Sequence, residues 1–368
     1  MFKIIIFISL SVFSFLPWNA FALTCKSVNG VRTLVAPLIG NNMYLGGDAP
    51  LGRQIFTQQT NRSGLAEIEC TDTSQIGKQR LTYILTYEGD KTTAHRPTNL
   101  NGIAYETYAT IAENGTTSMS QYPKSVYYSE VDCGPQTHCK IKPSIATDIL
   151  FLFAQVSKVS GEILGSSISP TILQVKIGNS EPVTVVRTTY SGSIKISSNT
   201  CKTPDVNVPL GGYSVNEFTK IGSVSPWVKF QISLSDCPAF YGSYPPVNGP
   251  THSWSQEGGA VVGKPTENSL ELMLSPLNGV ETVGDSVIKI NQNARSAKGI
   301  GIQVAHDITN SSDSPKVDFY TFKDAGIKLS SKPGDTYLMK FKARYYQTEN
   351  NVSAGKANGG MTFTINYK

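Results

Sequence analysis

At the end of the chain Met361, Phe363, Ile365 and Tyr367 alternate with Thr362, Thr364 and Asn366, the two-residue period of a half-buried β-strand. Chain ends ordinarily fray, so a strand that runs to Lys368 has to be held in a sheet by other elements. The rest of the sequence supplies them. Segments 81–87, 103–111, 149–156, 172–177 and 183–188 are rich in β-branched and aromatic residues and are separated by Gly, Pro, Asn or Ser clusters, with little helical periodicity. This pattern predicts an all-β chain built as sandwiches or a jelly roll. A short strand at 194–196 and a small polar linker at 197–200 end the first series. A second series follows at 206–210, 227–234, 269–274, 286–291, 299–305, 337–346 and the terminal strand. Two β-sandwich domains are therefore expected, 23–197 and 198–368, with 238–264 as an exposed excursion rich in Gly, Pro and Ser.

Residues 1–22 have a different character: Lys3, an apolar run from Ile4 to Phe15, then Pro17 and Ala20-Phe21-Ala22. They read as a secretory signal peptide cleaved after Ala22, the run being shorter than the roughly 20 apolar residues of a membrane span. Without Lys3, 31 basic residues face 27 acidic ones, a net charge of +4 too weak and dispersed to argue nucleic acid. Six cysteines in an exported chain argue three disulfides, for which about 15 pairings are open. Sequential pairing is expected: Cys25–Cys70, Cys133–Cys139 and Cys201–Cys237. A metal is not expected, because no Cys-x-x-Cys occurs, and Gly134-Pro135 turns the Cys133–Cys139 stretch into a small loop. His95, His138, His252 and His306 are scattered and are expected on surfaces or turns.

Gly355, fourteenth from the end, and the penultimate Tyr367, with alternating apolar residues between them, resemble the C-terminal signature of pilus subunits assembled by the chaperone–usher pathway. The resemblance extends over roughly 200–368. Cys201 precedes Val206-Asn207-Val208-Pro209-Leu210-Gly211, the strand beginning at Trp227 runs into Cys237-Pro238, and Gly299-Ile300-Gly301-Ile302-Gln303-Val304 and Phe341-Lys342-Ala343-Arg344-Tyr345-Tyr346 follow in that family's order. It implies an incomplete immunoglobulin-like pilin domain lacking its last strand, filled first by a periplasmic chaperone and then by a strand from an adjacent pilin after passage through an outer-membrane usher. It also implies that Met361, Phe363, Ile365 and Tyr367 face the groove and that basic chaperone residues grip the carboxylate of Lys368.

Leu23-Thr24-Cys25-Lys26-Ser27-Val28-Asn29-Gly30, followed by Asp48-Ala49-Pro50 and Cys70, resembles the lectin domain of type 1 fimbrial tip adhesins as far as about residue 72. By position, this resemblance points to Leu23, Asp72, Asn179 and Glu181 as ligand-binding residues. A disulfide-bonded domain stands where a shaft subunit carries its free donor segment, which implies a place at the pilus tip. The expected function is a fimbrial tip adhesin of a Gram-negative bacterium, reaching the cell surface through the periplasm and binding a host glycan or extracellular-matrix protein. A non-binding minor pilin and a secreted glycan hydrolase are the alternatives. No Gly-x-Ser-x-Gly, His-Glu-x-x-His, phosphate loop or EF-hand loop occurs, so neither catalysis nor a cofactor is expected. Tyr105, Tyr108, Tyr122, Tyr127 and Tyr128 form a second candidate recognition surface, against their ordinary role as strand formers.

Overall fold

A computed structural model of the chain describes residues 23–40, 42–48, 50–62, 66–71, 77–89, 92–113, 116–134, 138–143, 147–307 and 316–368. The expected signal peptide and Asp72 lie outside them, as do the side chains of Tyr127 and Tyr128. The chain is all-β. Its first strands are β1 (Thr24–Ser27), β2 (Arg32–Pro37), β3 (Asn42–Tyr44), β4 (Gln54–Asn61), β5 (Ile68–Thr71), β6 (Lys78–Tyr87), β7 (Arg96–Pro97), β8 (Ile103–Glu113), β9 (Thr116–Gln121), β10 (Lys124–Asp132), β11 (His138–Ile141), β12 (Thr147–Ala154), β13 (Gly161–Leu164), β14 (Thr171–Ile177), β15 (Val183–Ser191) and β16 (Ser193–Ser197). The later strands are β17 (Val228–Leu234), β18 (His252–Ser255), β19 (Gly259–Val261), β20 (Leu270–Pro276), β21 (Val287–Lys289), β22 (Ile300–His306), β23 (Lys323–Asp324), β24 (Tyr337–Gln347) and β25 (Met361–Tyr367).

Alternating burial along these strands packs two separate cores. The first lies between the five-stranded sheet β10-β6-β14-β15-β2 and the sheet β19-β18-β4-β12-β8-β7, with Leu85, Tyr83, Leu150, Leu152 and Leu173 among its buried side chains. The small sheets β1-β5-β11 and β13-β16-β3 close its ends. The second core lies between β17-β24-β22-β21 and β23-β20-β25 and centres on Ile232, Leu234, Leu272, Val304 and Phe341. Disulfides join Cys25 to Cys70, Cys133 to Cys139 and Cys201 to Cys237.

Residues 238–264 depart from the expected exposed excursion. They return to the first core, where β18 pairs in parallel with β4 at His252–Gln58, Ser253–Gln59 and Trp254–Thr60. The Tyr244 amide donates to the Ile55 carbonyl at 2.8 Å, and the Thr251 amide to the Thr57 hydroxyl at 3.0 Å. This strap covers the edge of β4, which would otherwise present unpaired backbone groups. The covered edge lies far away in sequence, so no local pattern announces it.

The strap places His252 in the interior instead of on the surface. It is 1% exposed, packed between Phe56 and Tyr244 at 5.3 and 4.4 Å between ring centres. Its Nδ1 accepts a 3.0 Å hydrogen bond from the Gly263 amide. Burial lowers its pKa from 6.5 to about 4, so the neutral ring is the folded form. Stability from this site is full above pH 6.5 and is lost as pH falls toward 4. Urea unfolding of the wild type and of His252→Phe should therefore diverge as pH falls through this window. Parallel profiles for the two proteins would rule the assignment out.

Candidate functional site

Strand β25 pairs antiparallel with β20 over its whole length, from Leu270–Tyr367 to Pro276–Met361. Among the described residues no strand covers its other edge. Ser269 and Lys368 exchange backbone hydrogen bonds at 3.0 Å, and the Leu277 amide donates to the Gly360 carbonyl at 3.0 Å. By the alternation of an antiparallel ladder, Met361, Phe363, Ile365 and Tyr367 therefore turn their backbone groups away from β20, toward the uncovered edge. The Tyr367 amide is taken by Asp48 Oδ2 of the first core at 3.1 Å. The backbone of Met361, Phe363 and Ile365 is left facing the gap.

Beside that edge lies a groove of about 690 Å³. Phe230, Ile232, Leu274, Ile288, Ile302, Val304 and Ala343 line it, together with Met361, Phe363 and the segment 205–211. Segment 206–210, expected as a strand, belongs to no ladder here. It has the composition of a strand but no neighbour to bond, because the space beside it is the groove itself. Gly355 stands where the chain approaches β25, and a Cβ there would collide with the Ser296 backbone.

The four C-terminal side chains expected to face the groove divide. Met361 and Phe363 line it, whereas Ile365 packs half-buried against the second core. Tyr367 is 4% exposed and lies beyond the groove, at the junction of the two cores. Its ring stacks on Phe240 at 6.3 Å, and its hydroxyl accepts from the Cys201 amide at 3.1 Å. Tyr44 of β3 meets the same Phe240 edge-on at 4.7 Å, and a Cβ on Gly46 would collide with the Tyr367 carbonyl. Burial raises the pKa of both tyrosines. Lys368 pairs its Nζ with Glu271 at 2.7 Å, and its carbonyl accepts from the Ser269 amide and from Asn268 Nδ2 at 3.1 Å.

Of the residues expected to bind a ligand, Leu23, Asn179 and Glu181 fall at one end of the first core. Thr24 and His138 both stand opposite Thr71 in the small sheet. The pairs Asp132–Lys78 and Val131–Gln79, with the Gly178 amide donating to the Arg80 carbonyl at 2.8 Å, bring the β14–β15 turn to the same end. Asn179 and Glu181 are exposed on that turn. The side chain of Leu23 is 2% exposed within the first core, which leaves its backbone for the ligand role expected of it. β15 runs from this turn to Ser191, near the junction, so the loop end lies about 30 Å from it.

Tyr105 and Tyr122, expected on a recognition surface, are core residues at 1% and 0% exposed. The Tyr105 hydroxyl accepts from the Ser169 amide at 2.8 Å. Tyr122 belongs to a buried network that the sequence did not announce. Its hydroxyl donates to Asp148 Oδ1 at 3.0 Å and accepts from Arg62 Nη1 at 3.2 Å. Arg62 and Asp148 form a direct ion pair, both essentially without solvent contact. Thr171 donates to Asp148 at 2.9 Å, and Thr188 accepts from Arg62 Nε at 3.0 Å.

Residues 189–368 match the family model described as fimbrial protein. The chain is 31% identical over 183 residues to the type-1 fimbrial protein subunit of Serratia marcescens, covering 49% of this chain and 84% of that protein. Among solved structures, the CupB6 tip adhesin of Pseudomonas aeruginosa aligns over 94% of both chains at 14% identity and a TM-score of 0.34. The receptor-binding domain of the Klebsiella pneumoniae adhesin MrkD1P aligns over 49% of this chain and 99% of its own, at 14% identity and a TM-score of 0.33. With 84% of a fimbrial subunit's length covered at 31% identity, the chain belongs to the fimbrial protein family.

Proposed function

We propose that this chain is a fimbrial tip adhesin in which the part built on the second core is a pilin domain and the part built on the first is a receptor-binding domain. The groove beside β25 carries this reading. An apolar trough flanked by free backbone groups at Met361, Phe363 and Ile365 and by the unpaired segment 206–210 is what β-strand addition requires on both sides of an incoming strand. A periplasmic chaperone would occupy it first and a strand from an adjacent pilin afterwards, the usher passing the subunit outward. The domains are 23–197 and 198–368, with 238–264 crossing back as a strap. Capping of Tyr367 by Asp48 sets one end of the accepting edge, so an incoming strand pairs along 361–365.

The receptor-binding end comprises the β14–β15 turn and its neighbours near Thr24, Thr71 and Asp132, with a host glycan or an extracellular-matrix protein as ligand. Because the strap completes the sheet of the first core, the test uses the mature full chain, stabilised by a strand peptide or a co-expressed chaperone, on glycan arrays and on fibrinogen, collagen and fibronectin. Asn179→Ala/Glu181→Ala is expected to weaken the interaction found by about tenfold while leaving thermal stability unchanged, since both side chains are exposed. Absence of any ligand would instead favour a subunit that only caps the fibre.

A further inference from the structure

The outer face of the sheet β17-β24-β22-β21, on the side away from the groove, carries a row of cations on its central strand. In β24 Met339, Phe341 and Ala343 point into the second core, so Lys340, Lys342 and Arg344 point outward at intervals of about 7 Å. Among the described residues none of the three has a carboxylate partner. Arg344 Nε donates only to the amide oxygen of Gln303, at 2.8 Å. On β17, Lys229 stands directly opposite Lys342 and pairs with Asp307 at 3.2 Å.

One feature of this row costs stability. Like charges directly opposite across a ladder repel, and Lys229–Lys342 is such a pair. Lys342 is 6% exposed as a residue, its stem covered by its neighbours while its ammonium stays at the surface without a carboxylate partner. Edge protection does not explain the lysines, because β24 has a partner on each side. The half-buried Trp227 stands over the row, its ring 4.0 Å from the Arg344 guanidinium and 5.0 Å from Lys342 Nζ. These contacts hold the cations in place without neutralising them.

We propose that this face binds a linear acidic polysaccharide, whose carboxylate or sulfate groups pair with Lys340, Lys342 and Arg344 while Trp227 offers an apolar surface to a sugar ring. A flat row of evenly spaced charges suits an extended polyanion better than a compact ligand. The site is separate from the groove and from the loop end of the first core, and does not depend on the function proposed for either.

The test is binding of the mature full chain to heparin, with neutral dextran and duplex DNA as competitors. Lys340→Gln/Lys342→Met/Arg344→Gln is expected to weaken heparin binding by about tenfold or more. The control Lys124→Gln/Lys158→Gln/Lys298→Gln removes the same charge elsewhere and is expected to change binding by less than about twofold. Should the triple variant fold poorly, Lys340→Glu alone, at an exposed position, is expected to reduce binding by about threefold or more with unchanged thermal stability. Equal losses from the row and control variants, or DNA competing as well as heparin, would show attraction to net charge alone and overturn the proposal.

Discussion

Removal of residues 362–368 is expected to abolish recovery of folded protein. Strand β25 forms one edge of the second core, pairs with β20 along its whole length and packs Met361, Phe363, Ile365 and Tyr367 against that core. A fully buried apolar side chain contributes about 1.5–3 kcal/mol, and these four, three of them partly buried, together with the lost ladder match much of the 5–15 kcal/mol that holds a typical domain. Tyr367 adds a second loss, since its stacking on Phe240 and its bond to the Cys201 amide join the strand to the Cys201–Cys237 disulfide. Two point substitutions separate side-chain burial from general damage. Phe363→Asp places a charge in the groove and should lower the yield of soluble protein to near that of the deletion. Thr364→Asp, on the exposed face of the same strand, should leave the yield within about twofold of wild type. Equal yields from the two variants would contradict the assignment of faces, and normal yield from the deletion would sink the pilin reading itself.

Much of this strand was legible because its signal is local. Alternation from Met361 to Tyr367 sets both the element and its buried face, and the same reasoning locates β6, β8, β12, β14 and β15 to within a few residues. Segment 206–210 shows where local reading stops. Its composition is that of a strand, but a strand is a relation between two segments, and here the second is missing. The strap fails to show for the opposite reason: Gly, Pro and Ser around 238–264 read as loop, while its pairing partner β4 lies nearly 200 residues earlier. Tyr105 and Tyr122 were ambiguous from the start, since tyrosine serves equally as a contact residue and as a strand residue whose hydroxyl finds an interior partner. Leu23 shows a similar split, since a resemblance by position concerns its backbone amine, whereas its apolar side chain follows burial.

The junction also changes how the two cores relate. Tyr44 reaches from the first core into the second, and the strap reaches from the second back to the first. Asp48 and Gly46 meet the end of the very strand that borders the groove. The free edge of β25 is thus partly defined by residues of the first core.

Loss of the Asp148 carboxylate is the second large effect expected. Arg62 and Asp148 are 1% and 0% exposed at their side chains, and the hydroxyls of Tyr122, Thr171 and Thr188 complete their hydrogen bonding. Asp148 stands on β12 and Thr171 and Thr188 on β14 and β15, so the network ties the two main sheets of the first core together. Truncating one partner of a buried ion pair leaves the other charge desolvated and uncompensated, at a cost of about 3–5 kcal/mol. Asp148→Ala should therefore lower the thermal midpoint of the first core by on the order of 10 °C. Asp148→Asn preserves shape and removes only the charge, and should retain most of that loss if the guanidinium is what suffers. Replacing both partners together, as Arg62→Met/Asp148→Leu, removes the stranded charge, and should recover at least half of the stability lost by Asp148→Ala. A double variant as unstable as the sum of its singles would show that the network acts through packing alone, and an Asp148→Ala protein within about 0.5 kcal/mol of wild type would show that the pair contributes nothing.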